Sequence, residues 1–157
     1  MQSTMRIMFT LATSIAFGTL VFFTAVVAPT LFSVLPIDTA GHVLDRLFPI
    51  YYTLTAPLCV IAFVSAFGLY RQTSMRRGKL IQVFLGITSA LSLIGWLILL
   101  PKMQSLAARI PTFSGPKTPL INQFFMYHGI SMLFNLIGIF LILASLIIWA
   151  VTPSRTT

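Results

Sequence analysis

The residues best suited to chemistry are concentrated in residues 29–52, which hold both acidic side chains of the chain and one of its two histidines. Asp38 and His42 are four residues apart, and His42 and Asp45 are three apart, so a helix would make them neighbours. A carboxylate beside an imidazole raises the basicity of the ring and fixes its tautomer, as a proton relay or a metal ligand requires. The alternative interpretation is a solvated helix face with Asp38 as a cap and a surface ion pair.

A second polar group lies near the C-terminus of the sequence. His128, Ser131, Asn135 and Gly138 fall on one face of a helix that is otherwise apolar. Polar side chains in such a helix face the interior of a bundle, because lipid offers them no hydrogen bonds. They either join helices by hydrogen bonds or form a ligand or proton site, in which His128 would be the principal residue.

Metal ligation is a further hypothesis for the two histidines. His128 and His42 are expected toward the same membrane face, so the two side chains could meet in one site. Met126 and His128 would offer a thioether and an imidazole together, a donor pair suited to copper. Methionine in an apolar helix usually packs, and the same holds for Cys59, the single cysteine.

The elements that must position these residues are long apolar segments. The 157 residues are 57% hydrophobic and only 8% charged, which is far from the composition of a soluble domain. Four apolar runs have the roughly 20 residues that a helix needs to cross a bilayer, and none contains a charged side chain: residues 7–28, 50–70, 80–100 and 124–151. The sequence therefore predicts a single domain, an all-α bundle of four transmembrane helices.

Shorter helices are predicted in the two longer connections. Residues 39–48 have an amphipathic pattern, with Asp38 as the predicted N-cap and Pro49 as the residue that ends or bends the helix. We expect this helix at the outer membrane interface, either separate or continuous with the second span. The third span is predicted to end at Pro101, and residues 102–110 to form another short helix that Pro111 stops.

The net charge of +8 is explained better by a membrane than by nucleic acid. Six basic residues fall on the side of the chain termini: Arg6, Arg71, Arg76, Arg77, Lys79 and Arg155. Four fall on the opposite side: Arg46, Lys102, Arg109 and Lys117. The bias predicts cytoplasmic termini in the bacterial inner membrane, with anionic lipid as a partner of the basic loop from Arg71 to Lys79.

Five short segments carry a resemblance to a known family. They are P-T-L-F at 29–32, A-G-H-V at 40–43, L-F-P-I-Y at 47–51, Leu100-Pro101, and H-G-I-S-M-L-F-N-L at 128–136. The chain resembles the group typified by transmembrane protein 205, catalogued as domain of unknown function 4149, over most of its length. The resemblance implies a four-helix integral membrane protein without a firmly assigned activity.

More distantly, the chain is similar to copper resistance protein D and the bacterial membrane protoporphyrinogen oxidase. That likeness brings copper or haem into consideration as a cofactor. The oxidase pattern has a histidine in the first helix, whereas residues 7–28 contain none, so that haem ligand is missing.

Three functions remain open at this level. The first is a membrane protein that binds or moves a small solute or metal through an outer polar pocket lined by His128, Ser131 and Asn135, with His42 and Asp45 at its mouth. The second is an accessory or assembly subunit of a larger membrane complex or a homo-oligomer. The third is a haem-binding oxidoreductase. No hydrolase triad, nucleotide loop or zinc pattern occurs, so the sequence disfavours an enzyme.

Overall fold

Four long helices make up the protein in a computed structural model, which describes residues 2–69 and 75–152. Helix α1 comprises Gln2–Phe22, a π-helical turn at Phe23–Val27, and Ala28–Val34. Helix α2 is Ile37–Leu69, and helix α4 is Pro119–Ala150. Helix α3 comprises Met75–Ile94, a second π-helical turn at Gly95–Leu99, and Leu100–Ala107. The predicted all-α architecture is confirmed.

The length and surface of these helices suit a membrane. Each has an apolar stretch of 31 or 32 residues, which is about 48 Å of helix, whereas the hydrocarbon core is about 30 Å thick. Large apolar side chains face outward, among them Ile50 at 66% exposed, Leu97 at 63% and Phe140 at 61%. Lipid accommodates such a surface and water does not. The protein is an integral membrane protein with four spanning helices.

The chain passes up and down, so each helix packs against the next in sequence, and α4 also contacts α1. Residues 35–36 and 108–118 therefore lie at one end of the bundle, which we call the connector end. Gln2 and Ala150 lie at the other, which we call the terminal end. The core between the helices is rich in small residues, including Ala12, Ala16, Ala62 and Ala66, which allow helix backbones to approach closely.

The predicted short helices are parts of longer ones. Residues 39–48 form the first turns of α2, which continues through Pro49 and Pro57 without interruption. Transmembrane helices tolerate internal proline because neighbouring groups satisfy the carbonyls that lose a donor. Likewise α3 does not end at Pro101 but continues to Ala107.

Both π-helical turns stand directly before a proline. Ala28 N–H donates to the Phe23 carbonyl and Leu100 N–H to the Gly95 carbonyl, each across five residues. The prolines follow one residue later, at Pro29 and Pro101. A proline lacks the N–H that would bond the carbonyl four residues earlier, and its ring crowds that carbonyl. A π turn at this point widens the backbone, so the helix continues instead of breaking.

The helix ends differ from the sequence-based boundaries in two further places. Helix α4 begins at Pro119 rather than near Phe124, because Thr118 caps it by accepting a hydrogen bond from Ile121 N–H at 3.3 Å. Of the predicted basic loop, Arg76, Arg77 and Lys79 lie in the first turns of α3. Arg71 lies outside the described residues.

Asp38 does not cap α2, as the sequence had suggested, but joins the two connections at the connector end. Its carboxylate accepts hydrogen bonds from the Thr112 hydroxyl at 2.7 Å, the Phe113 N–H at 2.6 Å and the Ser114 hydroxyl at 2.9 Å. Helix α2 begins at Ile37, one residue before Asp38. Leu35 is extended because it precedes Pro36. One carboxylate thus holds residues 112–114 against the start of α2.

Candidate functional site

A cluster of uncharged polar side chains lies inside the bundle, where α1, α2 and α4 meet. Its members, which we call the hydroxyl–amide cluster, are Thr24, Tyr51, Tyr52, Ser131 and Asn135. The Tyr51 hydroxyl donates to Asn135 Oδ1 at 2.5 Å, and Asn135 Nδ2 donates to Thr24 Oγ1. The hydroxyls of Tyr52 and Ser131 are hydrogen-bonded at 2.8 Å. Both hydrogen-bonding ends of Asn135 are therefore used, and this amide joins three helices.

The cluster lies near the middle of α4, one of the four spanning helices. Asn135 is 16 residues after the first residue of α4, Pro119, and 15 before the last, Ala150. Tyr51 and Tyr52 are each only 7% exposed. Because the hydrocarbon region offers no hydrogen bonds, polar groups at this depth must find partners within the protein, as these do.

The cluster borders a cavity of about 20 Å³. A water molecule needs roughly 10–15 Å³ of such space, so one molecule of this size fits. The lining residues are all uncharged: Leu20, Tyr51, Tyr52, Thr55, Leu91, Ser92, Ser131, Phe134, Asn135 and Gly138. Chemically the cavity is suited to a small neutral molecule that both donates and accepts hydrogen bonds.

The two π-helical turns lie against the two tyrosines. Phe23 packs against Tyr51 in a tilted arrangement with ring centroids 4.5 Å apart, and Thr24 of the same turn accepts a hydrogen bond from Asn135. On the other side, a Cβ added at Gly95 would lie 2.7 Å from Tyr52 Cε1, so only glycine admits the ring at its observed position. Such turns occur often at functional sites, where they re-aim side chains.

His128 lies between this cluster and the connector end, enclosed by aromatic rings. It stacks on Phe124 with centroids 6.1 Å apart and meets the edge of Phe48 at 6.4 Å. Phe124 in turn packs on Phe113 at 4.9 Å, next to the hydrogen bonds of Asp38. A row of aromatic rings therefore leads from the connector end to the hydroxyl–amide cluster. His128 belongs to this row and does not line the cavity.

The structure separates the two histidines. His42 is exposed, whereas His128 is partly buried beside Phe48. His42 comes six residues before Phe48 in α2, which places it about 120° around the helix from the ring that contacts His128. A site shared by the two histidines stays a prediction. Within residues 2–69 and 75–152, no group of three or more His, Cys, Asp or Glu side chains is arranged to hold a metal ion.

Asp45 is partly buried in the first turns of α2, and it does not line the cavity. The distance along α2 from Asp45 to Tyr52 is seven residues, or about 10 Å. The residues predicted as the pocket mouth, His42 and Asp45, thus lie on the connector side of the cavity without contributing to its wall.

Ser131 and Asn135 were found by sequence reasoning because their spacing marks one face of an apolar helix. Thr24, Tyr51 and Tyr52 were missed. A signal existed in the pair Tyr51-Tyr52 within an apolar run, because a buried tyrosine hydroxyl usually has a hydrogen-bond partner.

Further hydroxyl groups continue from the cavity toward the terminal end. The Ser92 hydroxyl donates to Cys59 Sγ at 3.6 Å. The Ser89 hydroxyl lies 2.8 Å from the Cys59 carbonyl and also 2.8 Å from the Leu85 carbonyl. Cys59 itself is 1% exposed and packs in the core. The apolar side chains of Leu85 and Ile81 are buried farther along α3 toward the terminal end.

A relative and a family model each match most of this chain. A protein of Aquifex aeolicus (strain VF5), described as uncharacterized, is 35% identical over 127 residues, which cover 81% of this chain and 83% of the relative. No solved structure matches the chain. Residues 11–111 match the model of the family described as domain of unknown function (DUF4149), a region that includes Thr24, Tyr51 and Tyr52 but not α4. The chain belongs to this family.

Proposed function

We propose that this membrane protein binds a small neutral polar solute at the hydroxyl–amide cluster and lets it pass through the four-helix bundle. The observation that carries the proposal is the uncharged, hydrogen-bonding wall of a cavity at mid-membrane depth. A solute that sheds its water to enter lipid loses hydrogen bonds, and hydroxyl and amide groups replace them.

The lack of charge in the wall decides the solute class. An ion at this depth would need an opposite charge or several oriented dipoles to offset its lost hydration. The ten residues that line the cavity supply no charge. A neutral molecule the size of water, or slightly larger when the helices part, is the occupant that fits.

The row of hydroxyls at Ser92 and Ser89 favours passage over binding alone. These groups extend the polar lining from the cavity toward the terminal end, where Leu85 closes the path. On the connector side the path is closed by the aromatic row at Phe48. In this proposal the bundle is in a closed state. It opens when α1 and α3 bend at the π turns beside Tyr51 and Tyr52.

Copper and haem are less well supported as cofactors. His128 is the histidine nearest the cluster, and its ring is enclosed by Phe48 and Phe124. His42, the other histidine, lies on a different face of α2. A metal ion or haem bound at His128 would need further ligands from residues other than His42, Phe48 and Phe124.

We also propose that the protein lies in the bacterial inner membrane with both termini in the cytoplasm. The six basic residues on the side of the termini, against four on the other, support this orientation.

The test is solute permeability of liposomes that contain the purified protein. Light scattering after an osmotic step would report the entry of water, ammonia, urea and glycerol in turn. We expect at least one of these solutes to enter faster than in empty liposomes. Asn135→Leu, which removes the amide that joins three helices, should return that rate to the level of empty liposomes.

Ser145→Ala is the matched control for this experiment. Ser145 is a buried hydroxyl in the same helix, but it bonds only the Leu141 carbonyl of its own helix at 2.8 Å, away from the cavity. Its removal should leave the rate unchanged. Wild-type liposomes that admit none of the four solutes faster than empty ones would refute the proposal and favour an accessory-subunit function.

A further inference from the structure

The terminal end of the bundle carries basic side chains without acidic ones to balance them. The chain has only two acidic residues, Asp38 and Asp45, and both lie in the first turns of α2 at the connector end. At the terminal end, the structure describes Arg6 on α1 and three further basic residues on α3, namely Arg76, Arg77 and Lys79. No Asp or Glu side chain is present at this end to balance them.

Arg6 is held in one orientation by an aromatic ring. Its guanidinium carbon lies 5.3 Å from the centroid of the Trp149 ring, within the range of a cation–π interaction. Trp149 is itself fixed by an edge contact with Phe9, with centroids 5.3 Å apart. A guanidinium that stacks by its face keeps its N–H donors in the plane, where they can bind two oxygens of a phosphate.

An open hollow lies beside Arg6 on the outside of α1. It is a shallow, open surface on the outside of this one helix, and it is lined by Arg6, Ile7, Thr10 and Leu11. Because α1 runs from the terminal end into the membrane, the three other residues lie deeper than Arg6. Ile7 and Leu11 are 58% and 56% exposed, so the lower part of the hollow is apolar and faces lipid.

A second guanidinium reaches the same end of α4. Arg77 Nη1 donates to the Val151 carbonyl at 3.4 Å. Val151 is two residues after Trp149, the residue whose ring contacts the Arg6 guanidinium. Arginines from α1 and α3 therefore both lie at the last turn of α4. Two cations at this position attract an anion more strongly than either alone.

We propose that this surface binds one anionic phospholipid, with its phosphate on the Arg6 guanidinium near Arg77 and an acyl chain in the hollow along Ile7 and Leu11. Charge complementarity selects the anionic headgroup. The apolar hollow directly beneath the arginine selects a lipid over a free phosphate, because it accepts the acyl chain that a free phosphate lacks. This inference does not depend on the proposed solute passage.

The alternative is a general attraction of all basic residues to an anionic membrane. That attraction amounts to about a fivefold change in affinity for each Lys or Arg near the surface, wherever it stands. A defined site predicts instead that Arg6 matters more than other basic residues at the same end. Arg76, an exposed arginine in the first turn of α3, provides the comparison.

The experiment measures binding of dioleoylphosphatidylglycerol and dioleoylphosphatidylcholine to the full-length protein in detergent by native mass spectrometry. We expect wild type to retain the anionic lipid preferentially. Arg6→Gln should lower its affinity clearly more than fivefold, and Arg76→Gln by fivefold or less. Leu11→Trp, which fills the hollow at an exposed position without changing charge, should also lower it.

Three results would overturn the proposal. One is an equal loss in Arg6→Gln and Arg76→Gln, which would show general attraction only. Another is unchanged affinity in Leu11→Trp, a variant whose altered side chain points to lipid and leaves the core intact. The third is competition by soluble glycerophosphoglycerol as strong as that of the whole lipid, which would assign the site to a free phosphate ester.

Discussion

At the scale of single residues, Asn135 connects more of the structure than any other polar side chain of the hydroxyl–amide cluster. It accepts from Tyr51 of α2 and donates to Thr24 of α1, while standing on α4. Hydrogen bonds between transmembrane helices contribute about 0.6 kcal/mol on average and at most about 1.7 kcal/mol. We expect the bond between Tyr51 and Asn135 to fall within that range.

Tyr51→Phe is therefore predicted to lower the free energy of unfolding by about 0.6–1.7 kcal/mol, because the phenyl ring keeps its packing and loses only the hydroxyl. A double-mutant cycle with Asn135→Leu, followed by unfolding in detergent, measures the coupling between the two side chains. Tyr52→Phe is the matched control, because the Tyr52 hydroxyl bonds Ser131 instead. Coupling of Asn135 to Tyr52 as large as to Tyr51 would contradict this assignment.

The sequence predicted two of the five members of this cluster for a physical reason. Ser131 and Asn135 stand in an apolar helix, and lipid excludes them from the outer face. Their partners could not be read in the same way, because Tyr51 and Thr24 are 84 and 111 residues away from Asn135 in the chain. Only the relative position of three helices selects those partners.

At the scale of helices, the two π turns are the feature that departs most from the expected pattern. Each stands before a proline and next to one of the tyrosines: Phe23 against Tyr51, and Gly95 against Tyr52. Each π turn therefore allows its helix, α1 or α3, to continue past a proline, and it places the helix backbone beside the cavity. Pro101 was interpreted as a helix end because a proline usually stops an α-helix, and a π turn is not visible in composition.

Gly95→Ala tests the contact between α3 and α2. The new Cβ would lie 2.7 Å from Tyr52 Cε1 and 3.0 Å from its hydroxyl oxygen, so the buried ring must move away from Ser131. Overpacking of this kind costs about 1–3 kcal/mol. We expect that loss in the free energy of unfolding measured in detergent.

Gly129→Ala is the control for this substitution, because a Cβ at Gly129 meets nothing within 4 Å. There the higher helix propensity of alanine should leave stability unchanged or raise it by up to about 1 kcal/mol. A similar effect of the two substitutions would show that Tyr52 does not limit the space at Gly95.

At the scale of the whole molecule, charge and helix number together support the proposed orientation. An even number of spans places Gln2 and Ala150 at the same end, where the described basic residues are Arg6, Arg76, Arg77 and Lys79. Both acidic residues lie at the connector end, where Asp38 binds residues 112–114. The polypeptide therefore has a more basic end and an end stabilised by its own carboxylate.

Cysteine labelling tests this orientation. We expect Lys117→Cys to react with a membrane-impermeant maleimide in intact cells, and Arg76→Cys to react only after the cells are opened. Both positions are exposed and lie at opposite ends of the bundle, whereas the native Cys59 is 1% exposed and gives little background. Labelling of Arg76→Cys alone in intact cells would reverse the orientation, and labelling of both would contradict the bundle's position across the membrane.

The sequence by itself determined that this protein spans a membrane four times, because the length and apolarity of a segment suffice to place it in lipid. It also placed Ser131 and Asn135 toward the interior, since that depends only on helix periodicity. The tertiary structure alone decided that Thr24 and Tyr51 join Asn135 and that Tyr52 joins Ser131. The reason is that hydrogen-bond partners on different helices depend on helix rotation and on backbone irregularities such as the two π turns, which no local pattern specifies.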